Sequence, residues 1–155
     1  MIHVVLLQPV IPQNTGNIIR LCANTGASLH LVEPLGFGID HAKMRRAGLD
    51  YHEFASLQVH ASFEAFQAGM MGHNRCYAFS TRGTRRYDEV TYQNGDALLF
   101  GPETRGLSEA FLAALPPAQV LRLPMQPHSR SLNLSNAVAI AVFEVWRQFG
   151  FQGGR

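Results

Sequence analysis

Residues 97–108 read Ala97-Leu98-Leu99-Phe100-Gly101-Pro102-Glu103-Thr104-Arg105-Gly106-Leu107-Ser108. Four apolar residues with no polar alternation describe a strand covered on both faces, as in a parallel sheet. Gly101 to Gly106 is a loop of turn formers and small polar groups. Ser108 then caps a helix carrying Phe111, Leu112 and Leu115, which Pro116 and Pro117 end. Strand, polar loop and helix start follow one another in the order of a parallel α/β unit.

The same order recurs on both sides. Met1–Leu7 is a β-rich run bounded by Pro9 and Pro12, and Asn14 or Thr15 is placed to cap a helix through Ile18, Ile19, Leu21 and Cys22, with Gly26 as its stop. Ser28–Val32 is a second strand. Asp40–Ala47 and Ser62–Ala68 have helical character, and Arg75–Ser80 is another strand. Downstream come a strand at Val120–Leu123, a long polar loop, and a last helix from about Asn133 or Ser135 to Phe149. That helix is apolar nearly all round (Ala137, Val138, Ile140, Ala141, Val142, Val145, Trp146, Phe149), so it is expected in the core or across a subunit interface. The fold class expected is α/β, a mainly parallel sheet flanked by helices. Ligands of such sheets bind beyond the carboxyl ends of strands, which directs attention to Gln8–Asn14, Ser80–Arg86, Gly101–Gly106 and Pro124–Asn133.

Composition narrows the class. With 155 residues the chain is expected to form one domain, residues 1–155. Apolar residues make up 46%, which excludes a disordered chain, and charged residues only 15%, which leaves surface for a second subunit to cover. Net charge is +2, compatible with an anionic partner without demanding one. Lys43 is the only lysine; every other cation is arginine, whose planar fork suits phosphate. Cys22 and Cys76 form neither a disulfide framework nor a thiol metal site, and the seven histidines are scattered. No leader or membrane-length apolar run is evident, so a cytoplasmic protein without a membrane or metal partner is expected.

Common nucleotide and hydrolase motifs fail. Gly36-Phe37-Gly38 begins like a dinucleotide fingerprint, but His41 stands at the third glycine position. Gly106-Leu107-Ser108-Glu109-Ala110 imitates a nucleophile elbow, yet the only acid between Ser108 and His128 is Glu109, beside the serine. Ser108 reads as a helix cap.

Three segments remain: Pro12-Gln13-Asn14-Thr15-Gly16-Asn17-Ile18-Ile19-Arg20; Leu98 to Ser108; and Leu121-Arg122-Leu123-Pro124-Met125 through Ser129-Arg130-Ser131-Leu132-Asn133-Leu134-Ser135-Asn136 to Ala139. Each couples a loop of small polar residues to a helix start, and together they offer backbone groups to a flat polar ligand. In order and spacing they resemble the three signature motifs of the SPOUT RNA methyltransferases, across nearly the whole chain. The short chain and Met44-Arg45-Arg46-Ala47-Gly48-Leu49-Asp50-Tyr51-His52 resemble the TrmL-type branch, which methylates the ribose of the wobble nucleotide, cytidine or uridine, of tRNA.

That resemblance implies a C-terminal trefoil knot, S-adenosylmethionine as cofactor, the tRNA anticodon stem-loop as partner, and a homodimer with each site built from both chains. It implies catalytic-site roles for Arg20, Asn14, Glu103 and Asn133. Arg20 meets the ribose hydroxyl or a phosphate and is the base by resemblance, although arginine keeps its proton, so orienting the hydroxyl and stabilising an alkoxide is the firmer role. Asn14 holds Arg20 or the ribose; Glu103 pairs with an arginine or accepts hydrogen bonds; Ser131 and Asn133 sit between cofactor and substrate. Cofactor contacts are implied for Phe79, Gly101, Leu123, Met125, Ser131 and Leu132. Two alternatives stay open: the same chemistry on another tRNA or rRNA position, and a silent RNA-binding scaffold. Arg82, Arg85, Arg86 and Tyr87, and Arg45 with Arg46, are either RNA contacts or solvated basic loops.

Overall fold

A computed structural model describes residues 1–39, 48–54, 56–70 and 75–155. The strands are β1 (His3–Leu7), β2 (Ser28–Val32), β3 (Leu57–His60), β4 (Cys76–Phe79), β5 (Arg85–Arg86), β6 (Ala97–Phe100) and β7 (Val120–Arg122). They form one seven-stranded sheet in the order β3-β2-β1-β6-β4-β7-β5. Every pairing is parallel.

Side chains of the central strands alternate between two cores, as the two-residue period requires. Val4, Leu6, Leu98 and Phe100 point to the face covered by α1 (Pro12–Thr25) and α4 (Leu134–Gln148), meeting Ile18, Ile19, Val138 and Val142. Val5, Leu99 and Ala78 point to the other face, where Phe66 of α2 (Phe63–Gly69) and Leu112 of α3 (Glu109–Ala113) close the packing.

The chain lays β2 and β3 to one side of β1, then crosses to β4 and inserts β6 between β1 and β4. The direction of winding therefore reverses between β1 and β6. A crevice opens beyond their carboxyl ends, where such sheets take ligands.

Most expected boundaries hold within a residue or two, and three differ. The first helix starts at Pro12 with Ile11 at its N-cap and no side-chain cap, so Asn14 and Thr15 lie inside the first turn rather than ahead of it. Proline at the first position needs no N–H partner and explains the early start. β3 goes unrecognised in the sequence because it is a half-exposed edge strand with polar Gln58 and His60 and no sustained apolar run. Arg85 and Arg86, expected in an irregular stretch, extend the sheet beside β7. Ser62, Ser108 and Asn133 each cap their helix through a side-chain oxygen, and Gly26 ends α1 in the left-handed region at φ 80°. The helix expected over Asp40–Ala47 lies outside the described residues.

Three imidazoles cross one face of the sheet in a line. His3 Nδ1 and His30 Nε2 share a hydrogen bond of 2.9 Å, as do His30 Nδ1 and His60 Nε2. His30 is fully buried with Phe66 edge-on to its ring. Burial, with His3 and His60 beside it, lowers its pKa to about 4.

Candidate active site

A cavity of about 560 Å³ lies beyond the carboxyl ends of β4, β6 and β7, a size in the range of small-ligand sites. Its floor is the pair Phe79 and Phe100, at the ends of neighbouring strands, stacked with ring centroids 4.8 Å apart and planes 15° apart. Leu107, Leu123, Met125, Leu132 and Leu134 add apolar wall. All four loops singled out in the sequence reach this cavity, through Ile11 and Asn14, Ser80 to Arg82, Gly101 to Gly106, and Met125 with Ser131 to Asn133.

The loop after β6 is shaped by two glycines. A Cβ on Gly101 would stand 2.4 Å from both Gly106 C and Leu107 N, so only glycine lets the two backbone strands of the loop touch. Gly106 turns the chain at φ 67°, and its N–H donates to Pro102 O over 2.8 Å. The loop after β4 is equally tight: a Cβ on Gly83 would meet Leu121 C and O at 2.5 Å.

One polar network ties the three signature segments together. The Glu103 carboxylate accepts from Val10 N (2.8 Å) and Ile11 N (3.1 Å), and from Asn14 Nδ2 at 3.4 Å. Asn14 Oδ1 accepts from Asn133 Nδ2 at 3.0 Å. Asn133 Oδ1 is in turn occupied by Ser135 N, Ser135 Oγ and Asn136 N at the start of α4. The orientation of both amides follows from this chain. Because the Asn133 oxygen caps the helix, its nitrogen must donate, which forces the Asn14 nitrogen toward Glu103. Glu103 receives N–H donors on both oxygens, so the carboxylate is an anchor for the residues ahead of α1. The arginine partner considered from the sequence is not what it engages.

Nine of the ten expected site residues line this cavity: Asn14, Glu103, Asn133, Phe79, Gly101, Leu123, Met125, Ser131 and Leu132. Arg20 does not. Six residues on from Asn14 along α1, it points elsewhere on the helix and ion-pairs with Glu53, Nε to Oε1 at 3.4 Å, while Nη2 donates to Gly48 O. Of the two partners expected for Asn14, Arg20 or the ribose, Arg20 is not engaged within this chain: Asn14 bonds Glu103 and Asn133.

The basic stretch divides. Arg82 lines the cavity and pairs with Glu109 at 3.0 Å, both exposed. Arg85 donates to Ala118 O and Glu89 O, and Arg86 pairs with Asp88 at the exposed surface. Tyr87 is partly buried against the core. Arg45 and Arg46 lie outside the described residues. Sequence reasoning also missed Glu53 and the contact of Arg105 Nη2 with Gln8 Oε1 at 3.2 Å, which spans the β1–β6 crevice. Gln8 holds a left-handed backbone at φ 52°, a conformation no residue-type rule assigns to glutamine.

Other chemistries find little support in the geometry. Burial pushes the Cys22 thiol up to about 12, and the Cys76 thiol is also raised, so neither is a ready thiolate. Among the described residues no group of three His, Cys, Asp or Glu side chains is arranged to hold a metal ion, and no helix is long and apolar enough to cross a membrane.

An all-parallel sheet flanked by helices, with a cavity built from four strand-end loops, defines an α/β domain with a ligand crevice at the carboxyl edge of its sheet. Residues 1–143 match the SpoU rRNA Methylase family, and the chain belongs to that family. It is 58% identical over 155 residues to the tRNA (cytidine(34)-2'-O)-methyltransferase of Burkholderia pseudomallei (strain 1106a), covering 99% of both chains. It is 54% identical over 153 residues to the enzyme of the same name from Escherichia coli (strain K12), covering 99% of this chain and 97% of that one. Among solved structures, one described as giving insights into the 2-OH methylation of C/U34 on tRNA superimposes with a TM-score of 0.89 at 47% identity, covering 98% of each chain. An rRNA methyltransferase from Sinorhizobium meliloti with AdoMet bound superimposes with a TM-score of 0.79 at 27% identity, over 94% of this chain and 56% of that one.

Proposed function

We propose that this chain is an enzyme that methylates the ribose 2'-hydroxyl of the wobble nucleotide of tRNA, cytidine or uridine 34, with S-adenosylmethionine as methyl donor. One observation carries the reading: the three signature segments converge on a single cavity, in a chain similar along its whole length to enzymes of that name.

The cavity fits the cofactor. It has the volume of a nucleoside-sized ligand, stacked aromatics and aliphatic walls for a base, and a lining that includes Gly101 with the exposed residues Ser131 and Leu132 for polar edges. When bound, S-adenosylmethionine supplies an electrophilic methyl group on a sulfonium. Phe79, Leu123, Met125 and Leu132 hold its apolar parts and keep water out. Asn133, Asn14 and Glu103 set the relative placement of the loops. Arg20 carries a fixed positive charge that orients the ribose hydroxyl or its phosphate and stabilises negative charge developing on the oxygen. Arginine keeps its proton, so its part is electrostatic rather than that of a base.

Residues 1–155 act as a single SPOUT domain in the cytoplasm, with the C-terminal part threaded as a trefoil knot. The working unit is a homodimer that engages the anticodon stem-loop. Exposed Ile140 and Phe143 on α4, with Ile11 and Leu132 at the cavity rim, support a second copy there. An Arg20 turned away from its own cavity suits a site completed by both chains.

The test uses purified protein, tritiated S-adenosylmethionine and total tRNA from a strain lacking this activity, followed by nucleoside mapping. Label in 2'-O-methylcytidine or 2'-O-methyluridine at the wobble site is expected; label elsewhere discards the specificity. Arg20→Ala is expected to keep cofactor binding and lose transfer, and near-normal transfer removes the role given to Arg20.

A further inference from the structure

Arg20 is half exposed, yet its guanidinium is not free to wander. Its partner Glu53 is a buried carboxylate, 9% exposed, in the short helical turn Tyr51–Phe54. A buried carboxylate is stable only when its oxygens are occupied. Glu53 Oε2 accepts from Asp50 N at 3.1 Å, and the Glu53 N–H returns a bond to Asp50 O at 3.1 Å. The backbone bond closes the turn and the bond from Asp50 N holds the carboxylate onto it, with Oε1 facing Arg20 Nε at 3.4 Å.

The turn is itself fastened to α1. Leu49 is buried in the core beneath α1, and its Cδ1 lies 3.8 Å from where a Cβ on Gly16 would stand, an ordinary van der Waals distance. Gly48 adopts φ 83°, a conformation suited to glycine, and its carbonyl accepts from Arg20 Nη2. Arg20 is thereby gripped along one edge, through Nε and Nη2. Among the described residues Nη1 has no hydrogen-bond partner.

An exposed ion pair between two flexible side chains contributes under about 1 kcal/mol and orders neither. This pair differs because one member is already immobile. We propose that Glu53 is the positioning residue of Arg20: residues 48–54 form a clamp that holds the guanidinium in one orientation for the substrate ribose or phosphate. The proposal rests on the reading of Arg20 in methyl transfer. It gives the segment after Gly48 a role in the chemistry without contact with substrate or cofactor.

The experiment has a readout apart from turnover. In the unaltered protein, nitrogen-15 relaxation of arginine side chains is expected to show the Arg20 Nε–H ordered and slow to exchange, against a mobile signal from the exposed terminal Arg155. Glu53→Gln removes the charge, and Glu53→Asp keeps it but shortens the reach. Both are expected to release the Arg20 signal and lower the single-turnover rate at least tenfold, while cofactor dissociation constants stay within about twofold, since a displacement near 1 Å suffices for losses on the order of a hundredfold. In an Arg20→Ala background, Glu53→Gln is expected to cause no further loss, because its effect passes through Arg20. A mobile Arg20 in the unaltered protein overturns the proposal without any variant having to fold. So does normal transfer by Glu53→Gln, or an effect that adds to Arg20→Ala. An unaltered protein that methylates no tRNA ends the parent reading and the positioning role with it, while the relaxation data still report the clamp.

Discussion

The side-chain amide of Asn133 donates to the side-chain carbonyl of Asn14 across 3.0 Å, closing a loop of 119 residues with one hydrogen bond. The contact links the cap of the last helix to the first turn of the first, and through Asn14 to Glu103 on the loop after β6. Three segments far apart in the chain thus share one set of donors and acceptors, with each amide orientation dictated by the next.

The two functions of Asn133 can be separated. Asn133→Asp keeps the oxygen that caps α4 and removes the donor to Asn14. The buried Asn14 Oδ1 then faces an oxygen, so a stability loss of about 1–3 kcal/mol is expected, with methyl transfer down about tenfold. Asn133→Ala loses the cap as well, at about 1 kcal/mol of stability. Urea denaturation and single-turnover rates measured side by side distinguish them; equal stability losses would show that the cap does not matter.

Glu103 is an acceptor at both oxygens. Glu103→Gln places an NH₂ against one of two backbone N–H groups, Val10 or Ile11. A stability loss of about 1–3 kcal/mol is expected, the range for an unsatisfied backbone donor. Denaturant midpoints unchanged from the unaltered protein would show that water takes over the vacated donor.

Gly101→Ala tests the tight loop. The new methyl would lie 2.4 Å from backbone atoms of Gly106 and Leu107, which cannot swing aside as a side chain does. Cofactor affinity measured by calorimetry is expected to fall at least tenfold. Unchanged affinity would mean that the loop relaxes without reshaping the cavity.

The imidazole row gives a pH prediction. The native pKa of His30 is lowered to about 4, against about 6.5 in the unfolded chain. Between those values the unfolded state binds more protons, so stability is full above about pH 6.5 and falls as pH drops toward 4. From pH 7 to pH 5 this group contributes a loss of about 2 kcal/mol, and lowered values at His3 and His60 act in the same direction. Equilibrium denaturation at the two pH values measures the loss, and NMR titration of His30 is expected to show a midpoint near 4. A midpoint above 6 would overturn the assignment.

The order of strands and helices was legible because its signals are local. Apolar runs at Val4–Leu6 and Leu98–Phe100, the cap at Ser108 and the stop at Gly26 each act within a few residues, and each stands where the pattern puts it. Where competing local signals met, the reading failed. Asn14 has the residue type of a cap, but Pro12 starts the helix ahead of it. Edge strand β3 lacks the apolar run of a buried strand. The family resemblance supplied the site residues, and nine of them do meet in one cavity.

What each does there depended on partners the sequence does not name. By itself the sequence determined an α/β fold, four polar strand-end loops and three signature segments, because hydrophobic period, capping and turn chemistry are encoded over short windows. Only the tertiary structure decided that β6 enters between β1 and β4. That insertion brings Glu103 beneath Val10 and Ile11 and sets Asn133 against Asn14. It was also the folded chain that turned Arg20 away from the cavity and toward Glu53. Such pairings follow from strand order and packing, which sum small preferences over the whole molecule, and no local stretch of residues carries them.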